Sequence, residues 1–151
     1  MKFILTKELG RLAKWLRILG FDTVYFSENN ASSLVIQALR DERIILTRNQ
    51  RLPQTRGVKI VLITQEKIKE QIREILKLLH IAPDAQQMFT RCILCNEVLV
   101  DIAKDKVKDK VPEYVFKTQE DFVTCPQCQR IYWQGTHWGN VIATLKEISS
   151  L

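Results

Sequence analysis

No stretch of this 151-residue chain approaches the roughly 20 consecutive apolar residues that a membrane-spanning helix needs. The opening Met1-Lys2-Phe3-Ile4-Leu5 is too short for the apolar region of a secretory signal, so a cytoplasmic protein with no membrane partner is expected. No segment repeats another. Histidine is scarce: His80 and His137 are the only two, and His80 ends an amphipathic stretch, where an imidazolium suits the negative end of a helix dipole. It reads as a capping or surface residue. Cysteine is scarce as well. A reducing compartment disfavours disulfides, so four cysteines set as two close pairs point to a metal.

With 46% hydrophobic and 26% charged residues, the chain has the balance of a soluble globular protein. It is long enough for a real core, as one domain or as one domain plus a small module. The formal net charge of +6 is unevenly spread. Residues 1–86 hold 15 Lys and Arg against 9 Asp and Glu, while residues 87–151 hold 8 of each. All of the positive excess therefore lies in the first part. Such a surface attracts polyanions at long range, nucleic acid being the commonest, although a mild excess is also a plain solubility device.

The first 80 or so residues alternate short apolar runs with amphipathic stretches, the pattern of an α/β domain with a mostly parallel sheet. Residues 3–5 read as the first strand. Residues 8–19 carry Leu9, Leu12, Ala13, Leu16 and Leu19 at helical spacing, with Gly20 placed to cap the helix. Residues 23–26 read as a second strand, and Ser32 or Ser33 can cap a helix through Leu34, Val35, Ala38 and Leu39. Residues 43–46 form a third strand, and a polar loop over 47–57, with Pro53 inside it, leads to a fourth over 58–63. Thr64 can cap a helix whose Ile68, Ile72, Ile75, Leu76 and Leu79 share one face. The boundary falls near 81–87. Beyond it, the alternating charges of residues 101–110 read as a solvated hairpin or loop, and a short helix from Trp138 or Asn140 through Ile148 closes the chain.

Cys92-Ile93-Leu94-Cys95 and Cys125-Pro126-Gln127-Cys128 form two C-x2-C pairs separated by 29 residues. Two intervening residues let a tight turn aim both sulfurs at one ion, and the spacer is long enough for a β-hairpin between the turns. That is the layout of a zinc ribbon. Four thiolates would fill a tetrahedral site and leave no position for water, so a zinc held by Cys92, Cys95, Cys125 and Cys128 is structural. His137 is not needed as a ligand and reads as a surface or core residue. The alternatives are four unconnected thiols, or redox pairs, which usually occur once and open a helix.

On an ideal helix Lys7, Arg11 and Lys14 project opposite Leu9, Leu12 and Leu16, with Arg17 at the edge of the row and Trp15 beside it. Such a ridge can follow a phosphate backbone, or it is simply a solvated face. Arg48, Arg51 and Arg56 follow the third strand, at the carboxyl edge of the sheet, where ligands of open α/β sheets bind. Aromatics are only 8% of the chain but crowd into residues 132–138, where Tyr132, Trp133 and Trp138 either pack the ribbon against the first domain or face RNA bases.

Several of these segments resemble one known family. Leu9-Gly10-Arg11-Leu12-Ala13-Lys14-Trp15-Leu16-Arg17, Leu19-Gly20-Phe21-Asp22-Thr23, Ile45-Leu46-Thr47-Arg48, Arg91-Cys92, Cys95-Asn96, Tyr132-Trp133 and Gly135-Thr136-His137-Trp138 occur in that order. They are similar to the PIN-like ribonuclease domains named for the carboxy-terminal region of the worm exonuclease Mut-seven. The resemblance implies a PIN-like α/β domain over residues 1–86 and a small β-rich zinc-ribbon module over 87–151 that ends in a carboxy-terminal helix. It also implies RNA cleavage by Mg2+ or Mn2+, with an aspartate ending the first strand, another after Leu46-Thr47-Arg48, and an acid opening the second helix. This chain has Thr6, Asn49 and Ala31-Ser32-Ser33 there. Neutral side chains hold hard cations weakly, so the acidic centre is missing as the sequence stands. Glu8, Asp22, Glu28, Asp41 and Glu42 are the acids that folding could bring in.

The expected function is therefore RNA binding through Lys7, Arg11, Lys14, Arg17, Arg48 and Arg51, with structural zinc and weak or no nuclease activity. Two alternatives stand beside it. One is an active ribonuclease that rebuilds its centre from Glu8, Asp22 or Glu28 and uses Mg2+ or Mn2+. The other is a protein-interaction module in which the ribbon and aromatic tail dock a protein partner.

Overall fold

The computed structural model describes residues 1–149, and of Thr136, His137 and Ser149 it describes the backbone alone. The expectation for the His137 side chain thus lies outside the described residues. Four parallel strands, β1 (Lys2–Thr6), β2 (Asp22–Phe26), β3 (Ile44–Thr47) and β4 (Ile60–Leu62), form one sheet in the order β2-β1-β3-β4. Helices cover both faces of this sheet, which is why Phe3, Ile4 and Leu5 of β1 are all fully buried rather than alternately exposed. Phe3, Leu5 and Leu46 pack on one side with Leu12 and Leu16 of α1 (Gly10–Ile18) and Ile72 and Ile75 of α3 (Ile68–Leu78). Ile4 and Ile45 point to the other side, against Leu34 and Ala38 of α2 (Ala31–Asp41).

The chain then builds a smaller antiparallel sheet, β5 (Val100–Ile102), β6 (Phe122–Thr124) and β7 (Ile131–Tyr132), in the order β5-β6-β7. Between β5 and β6 lies a short helix, α4 (Glu113–Thr118), that the sequence reading did not anticipate. The charged segment 101–110, expected to be a solvated loop or hairpin, contributes β5 residues and a 3-10 turn. Its Val107 is fully buried with Val115 and Phe122, and Ile102 packs against them, so apolar residues set among the charges anchor the excursion. The last helix, α5 (Thr136–Ser149), returns to the first sheet: Val141, Leu145 and Ile148 join the core that contains Phe3 and Leu16.

Several expected helix starts move. Lys7–Leu9 is a 3-10 turn, and the α-helix proper begins at Gly10. Asn30, not Ser32 or Ser33, caps α2, its side chain accepting Ser33 N–H at 3.1 Å. Thr64 does not cap α3, whose N-cap is Lys67; Glu74 takes Thr64 instead, accepting its N–H at 2.8 Å and its hydroxyl. Gly20 does end the first helical stretch. It adopts φ +95°, and a Cβ there would lie 2.2 Å from the Gln87 carbonyl oxygen, so only glycine fits.

Candidate metal centre and sheet edge

The two cysteine pairs fold into matching turns. Asn96 N–H donates to Cys92 O at 2.9 Å and Gln129 N–H to Cys125 O at 2.8 Å. Both residues adopt the left-handed region, φ +67° and +64°. In each turn the second cysteine's N–H points at the first cysteine's sulfur, Cys95 N to Cys92 Sγ and Cys128 N to Cys125 Sγ, both at 3.4 Å. Cys92 N–H donates to Glu97 O at 2.9 Å and Cys125 N–H to Arg130 O at 3.0 Å, closing each turn into a small hairpin. The four sulfurs all lie within 4.8 Å of one another.

This donor set fits a tetrahedral metal ion. Zinc–sulfur bonds of ~2.3 Å separate ligand sulfurs by about 3.8 Å, and Cys92 Sγ lies 3.7 Å from Cys128 Sγ. The proton chemistry points the same way. Burial disfavours a Cys92 thiolate. Bonds from the Tyr132 hydroxyl, the Cys95 and Leu94 backbone and the Cys128 thiol outweigh that and bring its pKa down to about 7. Cys95 is pushed up to about 12, by burial first and then by hydrogen bonds with Cys128 and Cys125 and the neighbouring negative charge. Sulfurs this close cannot all ionise unless a cation sits among them.

The first cysteine turn is docked onto the parallel sheet. Asn96 Nδ2 donates to Asp22 Oδ1 at 2.7 Å, and Asn96 Oδ1 accepts Thr23 N–H at 2.9 Å. Arg43 Nη1 donates to the same Asp22 oxygen at 2.8 Å. Burial raises the Asp22 pKa, but these two bonds and the charges of Arg43 and Arg91 hold the carboxyl below its ordinary value. Arg17, placed by the sequence at the edge of a solvent-facing row, turns inward and is buried. It donates to Thr23 O at 2.9 Å and to Ile93 O at 2.8 Å, so its guanidinium joins α1, β2 and the cysteine turn.

At the opposite, carboxyl edge of the sheet, Thr6 ends β1 and Thr47 ends β3. Their hydroxyl oxygens are 2.9 Å apart, and Glu8 Oε1 lies 2.6 Å from Thr6 Oγ1 and 3.3 Å from Thr47 Oγ1. Arg48 N–H also donates to Glu8 Oε1, at 2.9 Å. Burial raises the Glu8 pKa, yet the bonds from Thr6, the Arg48 backbone and Thr47 together hold it below its ordinary value. Asn49 N–H donates to Thr47 Oγ1 at 3.0 Å, and the Asn49 side chain accepts Arg51 N–H at 3.0 Å. Thr6 and Asn49, two of the three positions where a carboxylate was expected, are thus tied into a hydrogen-bonded turn around Glu8.

A family model described as the Mut7-C RNAse domain matches residues 1–145. The chain belongs to this family. No curated protein and no solved structure matches it.

The carboxyl edge of this Mut7-C domain has residues that do not fit a catalytic divalent ion. Among the described hydrogen bonds Glu8 is the one carboxylate that meets Thr6 and Thr47, and its Oε1 already faces three donors. Among the described residues, the only group of three or more Cys, His, Asp or Glu close enough to hold a metal is the cysteine cluster. Asp22, considered for a rebuilt centre, pairs with Lys2 at the start of β1 and so lies about four residues, roughly 13 Å, from the Thr6 end. Asp41 and Glu42 precede β3 and share that far edge. Of the acids offered by the sequence for a rebuilt centre, Glu28, exposed just beyond β2, stands at the same end as Glu8.

The basic residues of the Mut7-C chain divide. Lys7, Arg11 and Lys14 are exposed on one side of the first helical stretch while Leu12, Ala13 and Leu16 are buried on the other. Arg51 is exposed at the carboxyl edge, and Arg48 is half-buried there with a buried Nε that has no hydrogen-bond partner. Asn96 and Thr47 entered the sequence analysis only as parts of family motifs, with no role assigned to either side chain. A polar residue after C-x2-C is the signal that could have found Asn96, since a left-handed turn favours Asn; nothing local marks Thr47.

Proposed function

We propose that this Mut7-C domain binds RNA and has weak or no nuclease activity. The observation that carries the reading is Glu8, bonded to Thr6, Thr47 and the Arg48 backbone at the edge where a cluster of acids would be needed, while among the described residues no group of three acids comes together there. Metal-dependent phosphodiester hydrolysis requires charge enough to gather divalent ions and orient water between them. One carboxylate among hydroxyls supplies too little. The exposed row Lys7, Arg11 and Lys14, with Arg48 and Arg51 at the sheet edge, keeps the means to hold phosphates. Arg17 belongs to the fold more than to the row.

Zinc in the four-cysteine cluster has a structural role in this proposal. Residues 87–151 form the ribbon module and its closing helix, and residues 1–86 the PIN-like domain. Asn96, Arg17 and α5 join the two.

The test uses the zinc-loaded chain and single-stranded RNA. Binding should weaken as salt rises, with a slope in log Kd of roughly 0.7 per phosphate contact. Cleavage with Mn2+ should be slow or absent. Salt-independent binding overturns the phosphate contacts, and rapid cleavage abolished by a chelator while zinc stays bound overturns the weak edge in favour of a centre built on Glu8 and Glu28.

A further inference from the structure

The ribbon module, with Ile18 of α1, lines an open cavity of about 580 Å3, in the size range of small-molecule sites. Its walls include Phe89, Trp133 and Trp138, and the rings of Phe89 and Trp138 lie 5.9 Å apart at 37°. Flat aromatic walls favour a planar ring as the occupant. Charge narrows the choice further. Asp101, Glu120 and Asp121 line the cavity against Arg91 and Lys104. Both cations already have partners: Lys104 Nζ donates to Glu120 at 2.9 Å, and Arg91 Nη1 donates to Asn96 O at 2.8 Å. The remaining acids repel a phosphate or carboxylate and accept N–H groups. Gln119 and Gln134 add amides that can both donate and accept.

We propose that this cavity takes one unpaired nucleobase of a bound RNA, stacked on the tryptophans, while the sugar and phosphate stay outside. The placement of the basic row supports this. Ile18 lines the cavity and lies four residues, about one helical turn, beyond Lys14 on α1. A backbone that follows Lys7, Arg11 and Lys14 is therefore led toward the cavity. The inference rests on the RNA-binding reading above, and it adds a site that selects single strands, because a base inside a duplex cannot enter.

The test compares hexa-adenylate with the same oligonucleotide carrying one central abasic ribose, both bound to the zinc-loaded chain at low salt. The intact oligonucleotide should bind at least about 5-fold more tightly, the worth of one base–aromatic stack. Ala103 lines the cavity yet is exposed, so Ala103→Phe fills the space without removing a packed side chain. This variant should bind the intact oligonucleotide as weakly as the abasic one and leave abasic binding and its salt dependence unchanged. Gln134→Ala, at another exposed lining residue, should narrow the difference in a chain whose zinc content and circular dichroism match the parent. Equal affinities for the two oligonucleotides, with salt-dependent binding retained, would overturn the cavity and spare the basic row. Absence of binding by either would overturn both readings.

Discussion

Asn96 donates to Asp22 at 2.7 Å, and this bond ties the residue after the first cysteine pair to the first residue of the edge strand β2. The same side chain accepts the next backbone N–H of that strand, from Thr23. A bidentate amide of this kind makes the cysteine turn an extension of the parallel sheet.

Asn96→Ala should accordingly destabilise the chain by about 1–3 kcal/mol, since it removes two partly buried hydrogen bonds and places alanine at φ +67°. Urea unfolding followed by tryptophan fluorescence measures the loss. A change under 0.5 kcal/mol would show that the turn and the sheet are not coupled through this residue.

One zinc per chain is expected by elemental analysis, bound by Cys92, Cys95, Cys125 and Cys128. Chelation should lower the melting temperature and release the ribbon first, because unmetallated thiolates crowded within 4.8 Å repel one another. Cys125→Ser, at a buried ligand, should lose the metal; a full complement of zinc in that variant would exclude the four-sulfur site.

Glu8 titrates below its ordinary value in the folded chain. A depressed carboxyl contributes stability that is fully present above the unfolded value of 4.5 and is lost as pH falls through the folded value. The stability difference between the parent and Glu8→Gln should therefore be constant from neutral pH to about 5 and shrink below it. Comparing the two chains at each pH cancels any effect of acid on the cysteine cluster. A difference that grew on acidification would reverse the assignment.

Thr6→Asp with Asn49→Asp should rebuild an acidic edge around Glu8. A carboxylate at position 6 would stand against Glu8 and one at position 49 would follow in the turn after Thr47, and like charges so gathered repel one another, so the double variant should melt lower than the parent without Mn2+ and recover with it. The parent should be indifferent to Mn2+. If both chains respond alike, the edge already binds the ion; if neither responds, Thr6 and Asn49 do not face a common site.

Much of this architecture was legible along the chain. The periodicity of Leu9, Leu12, Ala13 and Leu16 marked a helix, the short apolar runs marked strands of a mostly parallel sheet, and two C-x2-C pairs marked a four-sulfur cluster, all of them local signals. Helix starts were less legible, because Asn30 and Ser33 compete for the same cap and Thr64 found a distant partner in Glu74. The burial of Val107 within a charged run, and the short helix after it, had no local signature, since only the ribbon core explains them.

By itself the sequence determined the parallel α/β core, the pairing of the cysteines and the neutral residues Thr6 and Asn49 at two expected acidic positions. Those follow from patterns and residue types that neighbouring side chains cannot alter. Tertiary structure alone decided which charges face solvent and which acids meet. Arg17 and Lys14 are three residues apart on one helix, yet one is bonded to a carbonyl 76 residues away and the other is exposed. Asp22 and Glu8 are both acids beside β-strands, yet the parallel arrangement sends them to opposite edges of the sheet. Charge acts through space, and only the fold sets the distances.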